Sequence, residues 1–178
     1  LRWTLDRRSG ALPFAVVAGV AYDDLDEHRR GYLNYIGDTL GVKGDLRRDE
    51  NNSSTAFDQY VPATLRPAAD WRVDAGLRHS QVKVRSRDHY IVPPNLDDSG
   101  HTDFSATTPV ASVMYLASDE LHFYASAGRG FETPTLNELA YRPDNTSGLN
   151  FGLKPQKSRQ FEVGAKWRAG TAQLDVAA

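Results

Sequence analysis

The chain has 178 residues, 40% hydrophobic and 25% charged, the balance of a folded domain and not of a disordered or fibrous one. Its formal net charge of −2 gives no electrostatic case for nucleic acid as a partner. It has no cysteine, which excludes a disulfide framework, a cysteine-based zinc site and a thiol nucleophile.

No stretch approaches the roughly 20 apolar residues that a membrane helix needs; the most apolar run, Leu12 to Tyr22, is about half that length. Mean hydropathy is −0.53. These values exclude spanning helices but leave spanning strands open, because barrel strands alternate apolar and polar residues. The chain opens on Leu1-Arg2-Trp3-Thr4, without a start methionine or the charged-then-apolar order of a signal peptide, and closes on a strand-like Ala172 to Ala178. Both ends read as cuts.

In chain order, Ser9-Gly10 reads as a tight turn. Phe14, Val16, Ala18, Val20 and Tyr22 then form one apolar face opposed by small residues, the period of two that marks a strand. A long polar connection, Asp23 to Ser54, precedes a less regular strand from Ala56 to Leu65. The turn Pro67-Ala68-Ala69-Asp70 leads into Trp71, Val73, Ala75 and Leu77 against Arg72, Asp74, Gly76 and Arg78. Past Leu77 the apolar residues change parity to Val82 and Val84. Either a bulge near His79 or a strand leaving an apolar band for water accounts for this.

A second long connection, Arg87 to Asp103, precedes a strand over Val110 to Leu116 and the turn Ser118-Asp119-Glu120. Leu121, Phe123, Ala125 and Ala127 alternate with His122, Tyr124, Ser126 and Gly128. Gly128 and Gly130 allow a bend or close backbone approach, and Pro134 ends pairing, so this strand stops near Phe131. The third long connection, Thr133 to Lys157, leads into the clearest alternation, Phe161, Val163, Ala165 and Trp167 against Glu162, Gly164, Lys166 and Arg168, closed by Ala169-Gly170-Thr171.

Short and long connections therefore alternate strictly. A meandering membrane barrel with short periplasmic turns and long extracellular loops has that asymmetry, whereas a soluble sandwich has long loops at both ends. Tyr22, Trp71, Tyr115 and Trp167 at strand ends suit an interfacial girdle. The expected fold is all-β: an antiparallel meander of about eight strands from a larger transmembrane β-barrel.

The run Leu121-His122-Phe123-Tyr124-Ala125-Ser126-Ala127-Gly128-Arg129-Gly130-Phe131-Glu132-Thr133-Pro134, closed by Leu136 and Leu139, resembles the barrel of TonB-dependent receptors. Gly152-Leu153-Lys154-Pro155-Gln156-Lys157-Ser158, followed by Phe161-Glu162-Val163-Gly164, resembles a later segment of the same family, with Gln156 where glutamate is usual. Ala75-Gly76-Leu77-Arg78-His79 resembles its glycine-leucine-arginine strand. The likeness covers roughly Thr55 onward. It implies a barrel of about two dozen strands, plugged by an N-terminal domain and residing in the bacterial outer membrane. This chain would be a partial barrel over 1–178 without a plug. Such a receptor imports a ferric siderophore or similar iron complex, energised by the TonB complex through an N-terminal segment that this chain does not contain. It needs no cofactor of its own, since iron travels in the ligand.

No nucleophile elbow, phosphate loop or nucleotide fingerprint is present, and nothing points to an enzyme. The five histidines, His28, His79, His89, His101 and His122, lack metal-ligand spacing. Asp23-Asp24-Leu25-Asp26-Glu27 lacks the glycine and ligand spacing of a calcium loop and reads as solvated. Asn51-Asn52-Ser53 and Asn145-Thr146-Ser147 match glycosylation acceptors, without meaning in a bacterial outer-membrane protein. For an anionic, oxygen-rich ligand, arginine offers charge and directed donors, and tyrosine a flat face with a hydroxyl. The candidates are Tyr141 and Arg142 in one long loop and Tyr90 and His101 in another. Two other classes compete: a small eight-strand outer-membrane barrel for adhesion or integrity, and a soluble carbohydrate-binding β-sandwich.

Overall fold

The computed structural model describes residues 1–7, 10, 12–143 and 148–178. Ser9 of the expected first turn, and the acceptor-like Asn145-Thr146-Ser147, lie outside the described residues. The strands are β1 (Arg2–Arg7), β2 (Phe14–Tyr32), β3 (Tyr35–Ile36), β4 (Thr39–Leu40), β5 (Leu46–Ala68), β6 (Trp71–Asp88), β7 (Gly100–Leu116), β8 (Leu121–Glu132), β9 (Gln156–Ala169) and β10 (Ala172–Ala177). One four-residue helical turn, α1 (Leu136–Leu139), sits between β8 and β9.

Eight strands form one sheet in the order β1-β2-β5-β6-β7-β8-β9-β10, every neighbour antiparallel. This is the expected meander. Short turns join β5 to β6, β7 to β8 and β9 to β10 at one end, and the long connections lie at the other.

One face carries Phe14, Leu65, Val73, Val113, Ala125 and Val163 in a single cross-strand row, and Val16, Ala63, Ala75, Ala111, Ala127 and Phe161 in the next. Near the turns this apolar face has aromatics, with the Trp71 and Tyr115 rings 4.9 Å apart. Phe161 is 74% exposed and Leu77 52%, so the face has no protein cover.

The upper edge of the apolar face runs obliquely. Its unbroken apolar rows end at Tyr22 on β2 and Phe57 on β5, which oppose each other; at Leu77 and Pro109, opposed on β6 and β7; and at Ala127 and Phe161, opposed on β8 and β9, while Phe131, higher on the same parity of β8, packs against buried Val84, Phe104, Leu139 and Leu149. In β5 register the edge moves from Phe57 to Ala63. Six residues are about 20 Å along a strand, over five steps of about 4.8 Å, a slope of about 40°. Strands of outer-membrane barrels tilt by ~35–45°, so a level lipid slab crosses their register at this slope.

Two expectations on strand length are corrected. The connection expected from Asp23 to Ser54 is largely strand: β2 and β5 stay paired up to Tyr32 and Leu46, and β3 and β4 form a hairpin between them around Gly37-Asp38. The connection from Arg87 to Asp103 narrows to 89–99. These strand ends have polar residues on both faces, so period two is invisible in them. No bulge occurs at His79, because register runs unbroken from Leu77 through Val84. The strand simply outgrows the apolar band, the second of the two explanations.

Candidate functional site

The other face of the sheet is polar at its turn end. Thr64 Oγ1 donates to Asp74 Oδ1 at 2.6 Å, and Arg72 Nη2 donates to the same oxygen at 2.9 Å. Tyr124 Oη donates to Glu162 Oε1 at 2.6 Å. Farther up, Arg78 grips Asp58 with two donors, Nε at 3.0 Å from Oδ1 and Nη2 on Oδ2, while Ser80 Oγ donates to Oδ1. Asp58 is buried and all its bonds are charge-assisted, so this row of β5 and β6 is rigidly held.

Above this row the polar face turns apolar. Val84 of β6 and Phe104 of β7 are buried there against Leu139 and Leu149, with Phe131, Leu136 and Phe151 packed around them. Leu139 and Leu149 belong to the long β8–β9 connection, which therefore folds back over the sheet. Thr135 caps α1 by accepting from the Glu138 N–H, while Glu138 Oε2 accepts from the Thr135 N–H at 2.8 Å. These bonds hold the Glu138 carboxyl below its usual range. The Asn150 N–H donates to Leu139 O at 2.6 Å and ties the returning part of this connection to the helical turn.

Gly100 is required by this packing, because a Cβ there would lie 2.4 Å from the Phe151 ring. Gly148, at φ +81°, lies against Asp98 of the β6–β7 connection. The two long connections thus meet over one small core.

A second concavity, about 830 Å³, lies where β2, β5, β6 and β7 run past the apolar band. His28, Arg85, Arg87 and His101 line it. Beside it His28 Nε2 and Asp49 Oδ1 are 2.7 Å apart, and Arg30 pairs with the same carboxylate at 3.2 Å. The His28 hydrogen bond, then the charges of Arg30, His28 and His89, hold the Asp49 carboxyl below its usual range against some desolvation.

The family model described as TonB dependent receptor-like, beta-barrel, matches residues 1–178. The chain belongs to this family of outer-membrane receptors. The vitamin B12 transporter BtuB of Photobacterium profundum is 29% identical over 144 residues, which is 81% of this chain and 19% of that protein. Among solved structures, the ferric citrate transporter FecA in its unliganded form superposes with a TM-score of 0.76 at 17% identity, covering 99% of this chain and 25% of FecA. The closed form of the ferric-catecholate import receptor Fiu from E. coli K12 gives 0.70 at 15%, covering 99% and 29%. The chain therefore spans about a fifth of the length of its sequence relative and a quarter of FecA. In a TonB-dependent receptor the apolar face of this sheet meets lipid and the polar face meets the lumen.

The four candidate ligand residues of this receptor segment fall in three places. His101 is exposed at the start of β7, opposite Arg85, on the face that continues the lipid-facing one. Tyr90 is half-buried in the β6–β7 connection, where its N–H donates to Asp88 Oδ1 and its carbonyl accepts from Asn95. Tyr141 and Arg142 follow α1 together, with Tyr141 81% exposed. His101 thus shares the upper concavity with His28, and the other three do not line it. Sequence reasoning missed the Asp58–Arg78–Ser80 cluster and the Leu139–Leu149 anchor. The first left a signal, since Arg78 and Ser80 share the polar parity of β6 and Asp58 takes the same face of β5. Among the described residues no group of acidic or histidine side chains has the arrangement to hold a metal ion.

Proposed function

We propose that this segment supplies wall and extracellular loops to a receptor that imports a ferric siderophore or a similar iron complex, energised by the TonB complex and without covalent chemistry. The observation that carries the reading is the joint packing of the β6–β7 and β8–β9 connections over Val84 and Phe104. It places Tyr90 in one anchored loop and Tyr141 and Arg142 in the other, at the long-loop end of the wall. A rigid base beneath aromatic and cationic side chains at the loop end is what capture of an anionic chelate requires. FecA and Fiu, which this segment resembles in fold, are named for ferric citrate and ferric-catecholate transport. Vitamin B12 is the second reading, favoured by the sequence match to BtuB.

The test is fluorescence titration of the full-length receptor with ferric catecholate and hydroxamate siderophores, ferric citrate and cyanocobalamin. A ferric complex is expected to saturate the receptor, and Arg142→Ala to weaken it by about tenfold or more, the loss of one charge-assisted contact. Unchanged affinity in that variant removes Arg142 from the site. Saturation by cyanocobalamin alone replaces the iron reading with the second one.

A further inference from the structure

Just above the lipid-facing band, Arg129 of β8 stands directly opposite Arg159 of β9. Like charges opposed on neighbouring antiparallel strands repel. Neither arginine, nor Lys157 beside them on β9, has a hydrogen bond or ion pair with another described residue. All three side chains are exposed, and with Thr107 they line one cleft of about 390 Å³; Arg129 also borders the inward cavity beside Asp58, Arg78 and Ser80. The cleft opens because β8 parts from β7 above the Val110–Gly128 pair. Pro109, which has no N–H to donate, is the next residue of β7.

The height of the cleft is fixed by register. Ala127 and Phe161, opposed one pair below, are the last residues of the apolar rows on β8 and β9; Phe131, the next apolar residue on this parity of β8, packs into the upper core instead. Arg129 and Arg159 follow about 7 Å farther along the strand. The long connections lie at this end, which makes it the extracellular one.

We propose that this cleft binds the phosphorylated headgroup of an outer-leaflet lipid. Arg129 and Arg159 present forked donors to phosphate, and Lys157 adds a point charge. Phe161, 74% exposed directly beneath, meets an acyl chain of the same molecule. That apolar floor argues for a lipid over a free anion. Lys83, Arg85 and Arg87 on β6 also lack partners among the described residues, but Lys83 stands six residues beyond Leu77, about 20 Å along the strand, with no apolar floor nearby.

The experiment measures binding of diphosphoryl lipid A to the detergent-solubilised full-length receptor by native mass spectrometry, with enzymatically dephosphorylated lipid A and inorganic phosphate as the other probes. The diphosphoryl lipid is expected to bind about tenfold or more tightly than the dephosphorylated one, and Arg129→Gln/Arg159→Gln to abolish that difference. Lys83→Gln/Arg87→Gln is expected to leave it unchanged. Without lipid, Arg159→Gln is expected to raise resistance to denaturant by relieving the opposed charges; with lipid present the unmodified receptor is the more resistant. Equal binding of both lipids, a double variant that binds like the unmodified chain, or equal loss in the Lys83/Arg87 variant overturns the proposal. Displacement of the lipid by inorganic phosphate at similar concentration overturns the lipid as the source of the anion.

Discussion

The two ends of the sheet are built from the same strands in the same register, yet their faces exchange character. At the turn end, Val73, Val113 and Val163 point outward while Asp74, Ser112 and Glu162 occupy the other face. At the loop end of β6 and β7, Lys83, Arg85 and His101 lie on the outward side, while Val82, Val84 and Phe104 lie on the inward one. Hydrogen bonding on β6 is indifferent to this change, because its ladders to β5 and β7 run through both halves. What changes is the medium outside the wall: lipid below, water above. Each half buries its apolar residues away from water, the lower against acyl chains and the upper against the returning β8–β9 connection.

If the upper core is a separate unit, Leu139→Ala loosens it alone. Leu139 is fully buried, and its truncation is expected to cost about 2–5 kcal/mol. Hydrogen exchange on the full-length receptor reads this locally. The Asn150 amide, bonded to Leu139 O, is expected to lose protection while Val113 and Ala125 keep theirs. A parallel loss in the lower strands would show that the two halves are one cooperative unit.

The lower half is probed by its outside medium. Val113→Arg places a cation within the lipid-facing rows and is expected to cost about 2–4 kcal/mol in urea unfolding from vesicles, whereas Thr107→Arg, on the same face of β7 above Pro109, is expected to cost about 0–1. Equal costs would mean that the band does not end at Pro109 and would remove the 40° slope derived from that edge.

The same contrast explains what was legible in the sequence. Where lipid fixes one face, alternation is enforced, and the strands around Val16, Val73, Ala125 and Val163 are readable residue by residue. The glycine-phenylalanine and proline-lysine runs of β8 and β9 carry the family resemblance for the same reason: they sit where strand, bend and loop are tightly constrained. Above the band neither face is forced, so β2 from Asp23 to Tyr32 and β5 from Leu46 to Ser54 read as loop although they are paired, with one register shift between Gly31 and Tyr32. The β3–β4 hairpin did leave a local mark, Gly37-Asp38 between Tyr35-Ile36 and Thr39-Leu40, a two-residue turn of a recognised kind. The upper core could not be read at all, since Val84, Phe104, Leu139 and Leu149 are brought together only by the return of a long connection. Of the candidate ligand residues, sequence could place each in a long connection but could not separate His101, on the outward side, from Tyr141 and Arg142 beside α1.

The smallest expected effect distinguishes the halves by pH. In the upper half, Asp49 is held charged by its hydrogen bond to His28 and by the charges of Arg30, His28 and His89. Its folded pKa lies below the unfolded value of ~3.9. The stabilisation is therefore complete above ~3.9 and is lost as pH falls through the folded value. Exchange protection at the top of the β2–β5 pair should then drop on acidification in the unmodified receptor. Asp49→Asn should begin lower and stay flat over the same range, so that the two converge in acid. The Val16 and Ala63 amides within the lipid band should follow one curve in both proteins. A difference between the proteins that persists unchanged into acid would mean that the Asp49 charge does not hold the upper strands together, and that their pairing rests on the backbone ladder alone.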